Sequence, residues 1–152
     1  MRIILARHGE TDYNKNKKVQ GHSDIPLNEE GIRQGKEAGK KLEGHEIDVA
    51  YSSTLERAFD TARYMLDNSN SENNKNLSVI KDKRLIEKSY GGYEGVSFAE
   101  YGAGLKAGET RGMELDTEAA DRVEEFFKEK YNEHPDKTIL AVCHGGLIRS
   151  FL

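Results

Sequence analysis

The chain has 152 residues, with 23 Lys and Arg against 27 Asp and Glu, which gives a formal net charge of −4. This length fits one domain that can bury a core without disulfide cross-links. A net negative charge provides no general attraction to nucleic acid or to an anionic membrane, and no apolar segment is long enough to predict a membrane span. The single cysteine, Cys143, excludes an internal disulfide framework and is typical of a reducing compartment, so we expect a cytoplasmic protein.

The first predicted element is a strand that ends at a cation and an imidazole. Residues 1–6 are mostly apolar and lack a helical period, which predicts a buried strand. Arg7, His8 and Gly9 follow directly. Side chains at the carboxyl end of such a strand project into the crevice where open α/β sheets bind ligands. Arg and His at that place suit an anionic group and a nucleophile or proton carrier.

The remaining elements alternate between strands and helices. The apolar spacing predicts helices at 29–42, 55–65 and 117–131 and another beginning at 147, and it predicts strands at 47–51, 77–80 and 138–142. This alternation favours a three-layer α/β/α sandwich with a mostly parallel central sheet, in one domain covering 1–152.

A glycine-rich segment interrupts the alternation. Residues 91–112 contain seven glycines and little periodicity, so we expect an irregular, mobile lid that extends to residue 116.

Two further strand ends carry polar groups. The strand at 138–142 ends at Cys143-His144-Gly145-Gly146, and the strand at 47–51 ends at Ser52-Ser53, with Arg57 one helical turn on. Parallel central strands would bring His8 and His144 to the same edge. Together with Arg7 and Arg57 they would form a phosphate clamp, because the guanidinium group binds phosphate oxygens bidentately. Taken singly, Arg57 could equally be a solvated charge on a helix, and Arg7-His8 could be a surface pair at a strand end.

Five sequence blocks, in this order, resemble the histidine phosphatase superfamily, also called the phosphoglycerate mutase-like family: RHGETDYN, QGHSDIPLNEEG, YSSTLERAFDTA, RLIEKSYGGYEG and AVCHGGLIR. The resemblance covers most of the chain. It implies that His8 attacks phosphorus and becomes a phosphohistidine, and that Glu87 protonates the leaving oxygen and later activates water.

The same resemblance implies further roles at the phosphate. Arg7, Arg57 and His144 would hold the phosphate oxygens and offset their charge. The remaining residues expected to contact the substrate are Asn14, Gln20, Gly21, Gly145 and Tyr90. No cofactor or metal is implied, since cationic side chains fill that role. His8, His144 and Glu87 could alternatively be zinc ligands, but the neighbouring Arg side chains would repel a cation.

A second phosphatase signature overlaps the last block. The residues from Cys143 to Ser150 fit the CxxGxxRS phosphate loop of cysteine-based phosphatases, in which a thiolate is the nucleophile. This interpretation leaves the other four blocks unexplained. A buried structural cysteine is the simpler reading of Cys143.

The branch of the family, and with it the reaction, is inferred from smaller features. RHGET and a short stretch between Gly95 and Thr117 favour the phosphatase branch over the mutases, so we expect hydrolysis of a small phosphorylated metabolite. The alternatives are a phosphoglycerate-type phosphomutase and a non-catalytic module that binds phosphate esters. Family members generally continue beyond the HGGxIR block, so the C-terminal element is expected to be short here. Either that element is dispensable, or the sequence is a fragment, or a partner chain covers the gap. A sheet lacking its last strand would leave an edge free for a homodimer.

Overall fold

The computed structural model describes residues 1–152 and contains one four-stranded sheet in the order β1-β4-β2-β3. All three strand pairs are parallel. The strands are β1 (Arg2–Arg7), β2 (Val49–Ser52), β3 (Val79–Lys81) and β4 (Thr138–Cys143). β1 is therefore an edge strand, and one of its sides pairs with no other strand.

Seven α-helices surround the sheet. They are α1 (Asp12–Lys15), α2 (Glu29–Lys40), α3 (Glu56–Asp67), α4 (Glu72–Lys75), α5 (Phe98–Lys106), α6 (Asp116–Glu133) and α7 (Gly145–Phe151). Short 3₁₀ turns lie at Lys83–Leu85 and Gly91–Tyr93. The predicted strands and helices are confirmed apart from shifts of a few residues at their ends. No helix is long and apolar enough to cross a membrane.

The side chains of β4 alternate between two cores. Leu140 and Val142 pack in one apolar cluster with Ala58 and Ala62 of α3. The intervening residues, among them Ala141, pack in a second cluster with α6 and α7 on the opposite face of the sheet. A strand buried on both faces has this pattern because successive side chains point to opposite sides. The prediction of a three-layer α/β/α sandwich is confirmed.

Close contact of α2 with its neighbours depends on glycines spaced four residues apart. A Cβ at Gly39 would lie 2.4 Å from the Met65 carbonyl oxygen, and one at Gly31 would lie 2.1 Å from the Glu10 carbonyl oxygen. Both distances are far inside van der Waals contact. The glycine stripe thus lets α2 approach α3 and the loop that follows β1.

The segment 91–116 is more ordered in its backbone than the sequence predicted. It contains the nine-residue helix α5, whose Ser97 side chain accepts a hydrogen bond from the Glu100 amide as an N-cap. Buried Tyr93 packs edge-on against Tyr101 at 5.1 Å between ring centroids. The prediction of an irregular segment was wrong here because aromatic packing and a cap stabilise a helix despite its glycines.

Candidate active site

The parallel pairing of β1 with β4 brings the two strand-end histidines together. Arg7 is in register with Cys143, so His8 and His144 follow side by side with ring centroids 5.1 Å apart. The His8 Nδ1 atom lies 2.6 Å from the Gly9 carbonyl oxygen. A carbonyl oxygen can only accept a hydrogen bond, so Nδ1 carries the hydrogen and Nε2 keeps a free lone pair.

Both imidazoles are held in the neutral form. Burial, followed by the charge of Arg57, lowers the pKa of His8 to about 3. The same causes hold the pKa of His144 well below its usual range. The His144 Nε2 atom lies 2.8 Å from the Ser53 hydroxyl oxygen, while its buried Nδ1 has no partner. At neutral pH the lone pair of His8 Nε2 is therefore available to attack an electrophile.

Arg57 lies beneath the histidines and is tied to a loop. Its side chain is fully buried, and its two terminal nitrogens each donate a 2.7 Å hydrogen bond, one to the Ser23 carbonyl and one to the Gly21 carbonyl. Burial lowers the pKa of Arg57 to about 10, so the group stays cationic at neutral pH. The Nε atom is buried without a partner.

Glu94 fixes the same loop from the other side. Its carboxylate accepts hydrogen bonds from the Gly21 amide at 2.9 Å and from the Ser23 amide at 3.1 Å. The Gly21 amide is consequently engaged within the protein, and Gly21, which was predicted to contact the substrate, is not among the residues that line the pocket. The loop instead holds Arg57.

Glu87 is buried at the base of the pocket, with 5% of its surface exposed. Its carboxylate accepts three backbone hydrogen bonds, from Lys88 at 2.7 Å, Gly146 at 3.0 Å and Leu147 at 2.7 Å. Burial nevertheless raises its pKa above the ordinary value of 4.5. A carboxyl group with a raised pKa is suited to give up a proton during a reaction.

These residues open onto a pocket of about 260 Å³. Seven of the residues predicted at the site line it: Arg7, His8, Asn14, Gln20, Glu87, Tyr90 and Gly145. Arg57 and His144 lie behind this lining, where they act on His8 through their charge and packing. The side chain of Arg7 makes no hydrogen bond or ion pair within the chain, so its guanidinium group is free for an anion. We call His8, Arg57, Glu87 and His144 the inner site.

The mouth of the pocket has a different character. Lys18, Phe98, Tyr101 and Arg149, which we call the outer rim, also line the pocket. Phe98 is 49% exposed, and neither Lys18 nor Arg149 forms an ion pair. The sequence analysis did not select Lys18, and it considered Arg149 only as part of the cysteine-loop motif. Arg149 lies four residues after Gly145 on α7, a spacing that places both on one helical face.

Cys143 does not belong to the pocket. Its side chain is buried in the apolar cluster under α6 and α7, and burial raises the pKa of the thiol to about 12. A thiol of this kind is a poor nucleophile at neutral pH. The structure therefore contradicts the cysteine-loop interpretation. No three His, Cys, Asp or Glu side chains are grouped so that they could hold a metal ion.

Fold and pocket together define an α/β protein with a neutral histidine, arginines and a buried carboxyl group at the carboxyl edge of a parallel sheet. Residues 3–152 match the histidine phosphatase superfamily (branch 1). The chain belongs to this superfamily.

Similar proteins are named as phosphatases and as mutases. The chain is 32% identical over 150 residues to the uncharacterized phosphatase PhoE of Bacillus subtilis, covering 99% of this chain and 75% of PhoE. It is 41% identical over 102 residues to the 2,3-bisphosphoglycerate-dependent phosphoglycerate mutase of Treponema denticola, covering 66% of this chain and 40% of that protein. The chain thus spans less than half of the mutase and three quarters of PhoE.

Solved structures of similar proteins have the same fold as this chain. A mycobacterial glucosyl-3-phosphoglycerate phosphatase in complex with VO3 superposes with a TM-score of 0.85 at 30% identity, covering 99% of this chain and 79% of that one. YhfR of Bacillus stearothermophilus superposes with a TM-score of 0.85 at 27% identity, covering 97% of this chain and 76% of that one.

Proposed function

We propose that the protein is a metal-independent phosphatase that hydrolyses small phosphomonoesters through a phosphohistidine on His8. The observation that carries this proposal is the state of the His8 ring. Its Nδ1 hydrogen is committed to the Gly9 carbonyl, its pKa is lowered to about 3, its Nε2 atom has no partner in the protein, and the residue lines the pocket.

The first chemical step transfers the phosphoryl group to the protein. His8 Nε2 attacks phosphorus and forms a P–N bond while the P–O bond to the leaving group breaks. Glu87 gives its proton to the departing oxygen, which leaves as an alcohol. The guanidinium group of Arg7 and the side-chain amides of Asn14 and Gln20, which line the pocket, can hold the phosphoryl oxygens.

The second step releases phosphate. The ionised Glu87 carboxylate takes a proton from a water molecule, which attacks phosphorus as the P–N bond breaks. The electron pair returns to His8 Nε2, and Glu87 is protonated again. The buried charge of Arg57 beside the histidines opposes protonation of His8 throughout the cycle.

Trapping the phosphoenzyme tests this proposal. A ³²P-labelled phosphomonoester is mixed with the protein in EDTA and quenched, and we expect label that is stable in alkali and lost in acid, as for a phosphohistidine. His8→Asn should carry no label, whereas Cys143→Ser should be labelled like the wild type. Labelling of His8→Asn, or loss of labelling only in Cys143→Ser, contradicts the proposal.

A phosphoglycerate-type phosphomutase is the second candidate, and the 41% identity to the Treponema denticola mutase favours it. The two reactions differ in the fate of the phosphoryl group. A mutase converts 3-phosphoglycerate to 2-phosphoglycerate in the presence of a bisphosphorylated primer, whereas a phosphatase releases inorganic phosphate. Measuring isomer and phosphate in the same sample separates them. Binding of vanadate without either product would leave a non-catalytic phosphate-ester binding module.

A further inference from the structure

Arg122, on α6, uses every hydrogen-bond donor of its side chain. Nε donates to Glu114 Oε1 at 2.9 Å, and Nη2 donates to Glu114 Oε2 at 3.1 Å. Nη1 donates to the carbonyls of Arg84 and Ile86, both at 2.7 Å, and Nη2 also donates to the Glu87 carbonyl at 3.2 Å. A guanidinium group has five N–H donors, so none is left for another partner.

Glu114, the ion-pair partner of Arg122, holds the main chain on the other side of Glu87, at Ser89. Its Oε2 accepts the Ser89 amide hydrogen at 2.9 Å, and its own amide donates to the Ser89 carbonyl at 2.8 Å. Arg122 and Glu114 together therefore hold the chain at residues before, at and after Glu87. The backbone from Ile86 to Tyr90 belongs to no helix or strand, so these long-range contacts replace the hydrogen bonds that regular structure would supply.

The position of the Glu87 carboxylate depends on this backbone. Its oxygens accept the amides of Gly146 and Leu147 on α7, while its carbonyl accepts a hydrogen bond from Arg122 on α6 at 3.2 Å and lies 2.8 Å from the His22 Nε2 atom. The side chain is thus stretched between two helices, and a shift of its main chain would move the carboxyl group relative to the leaving oxygen. Misplacement of a reacting group by about 1 Å can cost on the order of 100-fold in rate.

We infer that Arg122, supported by Glu114, is a positioning residue for proton donation by Glu87. This inference rests on the proposed function, in which Glu87 protonates the leaving oxygen. Arg122 itself touches no substrate, because its donors are all occupied and it does not line the pocket. The charge of Arg122 also helps to lower the pKa of His144, and a lysine at this position keeps that charge. The effect of Arg122→Lys is therefore exerted through the geometry of Glu87, and it should be largest for a leaving group that needs a proton.

A positioning role can be distinguished from a general loss of structure by how the loss of activity depends on the leaving group. Phenolate is a poor leaving group and needs protonation as the P–O bond breaks, whereas p-nitrophenolate leaves readily without it. The ratio of kcat/KM for p-nitrophenyl phosphate to that for phenyl phosphate reports this need, because kcat/KM includes the step in which the leaving group departs. A smaller folded fraction lowers both values equally and leaves the ratio unchanged.

The test compares Arg122→Lys with Arg63→Lys. Arg63 is a matched control, since it donates to the carbonyls of Leu77 and Lys75 and to the Asp67 carboxylate, far from the pocket. We expect Arg122→Lys to raise the ratio about tenfold or more, by analogy with the share of rate that general acid catalysis supplies. Arg63→Lys should leave the ratio within twofold of the wild type.

Two further variants guard against misfolding of Arg122→Lys. Glu114→Gln keeps a side chain of the same shape and should raise the ratio in the same direction by a smaller factor. In a Glu87→Gln background, where no proton can be donated, Arg122→Lys should not change the ratio further. An equal loss toward both esters in Arg122→Lys, or the same change of ratio in Arg63→Lys, overturns the inference while the proposed function stands. A wild type that hydrolyses neither ester overturns both.

Discussion

The inner site and the outer rim belong to the same pocket, but their side chains are held in place in different ways. The inner site is buried and each side chain is fixed by hydrogen bonds to the main chain or to a neighbouring side chain, as for Glu87 with three amides and Arg57 with two carbonyls. The outer rim is more open, with Phe98 half-exposed and two cations free of ion pairs.

This difference indicates a division of labour. The groups that act at the phosphorus atom must be positioned to within a fraction of an ångström, and several hydrogen bonds from the protein fix each of them, as preorganised catalysis requires. In the outer rim, the exposed Phe98 and the unpaired Lys18 retain freedom to adapt to the leaving portion of a substrate, whereas Tyr101 is packed against Tyr93. Changes in the inner site should therefore act on kcat and on pH dependence, and changes in the outer rim should act on KM.

Removing the proton of Glu87 should have the largest effect. We expect Glu87→Gln to lower kcat/KM for phenyl phosphate by about 10²- to 10⁴-fold, the range of general acid catalysis. The reaction requires neutral His8, which is present above its pKa of about 3, and protonated Glu87, which is present below its raised pKa. Wild-type activity should therefore fall as the pH rises past the pKa of Glu87. Measured pH profiles should show that this alkaline fall is absent in Glu87→Gln. An unchanged profile would contradict the role of Glu87.

A methyl group added next to Glu87, at Gly146, should also lower the activity strongly. A Cβ at Gly146 would lie 2.4 Å from the Tyr90 hydroxyl and 2.6 Å from Glu87 Oε1. We expect Gly146→Ala to displace the carboxyl group and lower kcat on the order of 100-fold. Gly102→Ala is the matched control on α5, since its Cβ would meet nothing within 4 Å. The control should keep its activity and gain about 0.5–1 kcal/mol in unfolding free energy by denaturant titration.

Acidification should destabilise the fold through the buried histidines. The folded pKa of His8 is lowered from 6.5 to about 3, so the unfolded chain binds its proton first and stability falls as pH drops below 6.5. Each such histidine contributes a slope of about 1.4 kcal/mol per pH unit. Glu87 acts in the opposite direction near its own raised pKa, because its protonated form favours the folded state.

Comparing wild type with His8→Asn isolates the histidine from Glu87. Unfolding free energies measured by denaturant titration from pH 4.5 to 7 should fall less steeply with acid in His8→Asn. Equal slopes in the two proteins would mean that His8 takes up its proton as readily in the folded chain as in the unfolded chain, which would contradict the lowered pKa.

The outer rim should give the smallest change. We expect Phe98→Ala to raise KM for an aryl phosphate about two- to fivefold with little change in kcat, since only part of an exposed ring can be covered by substrate. Tyr131→Ala on α6 is a control, because this ring is 58% exposed and does not line the pocket. A loss of kcat in Phe98→Ala would show that the rim takes part in the chemistry and would break the proposed division.

The sequence alone was sufficient to predict where the two histidine-bearing strands end and to identify the family. The short runs before Arg7-His8 and Cys143-His144 predicted two buried strands, and parallel pairing of such strands must deliver both histidines to one edge of the sheet. Local apolar periodicity was also enough to find α2, α3 and α6. In the lid the same reasoning failed, because glycines mask the helical signal of α5, which is stabilised by contacts with Tyr93 and by a cap.

Tertiary structure alone decided how the inner site is supported. Arg122 reaches Glu87 across 35 residues, and Glu94 reaches Gly21 across 73 residues. Contacts of this range leave no periodic pattern in the chain, since they depend on where packed helices and loops meet. The sequence by itself therefore determined which groups are available at the strand ends. The burial of Cys143 was predicted from the sequence and is confirmed. Only the folded chain determined that the Gly21 carbonyl holds Arg57 and that Arg122 contacts the main chain of Glu87.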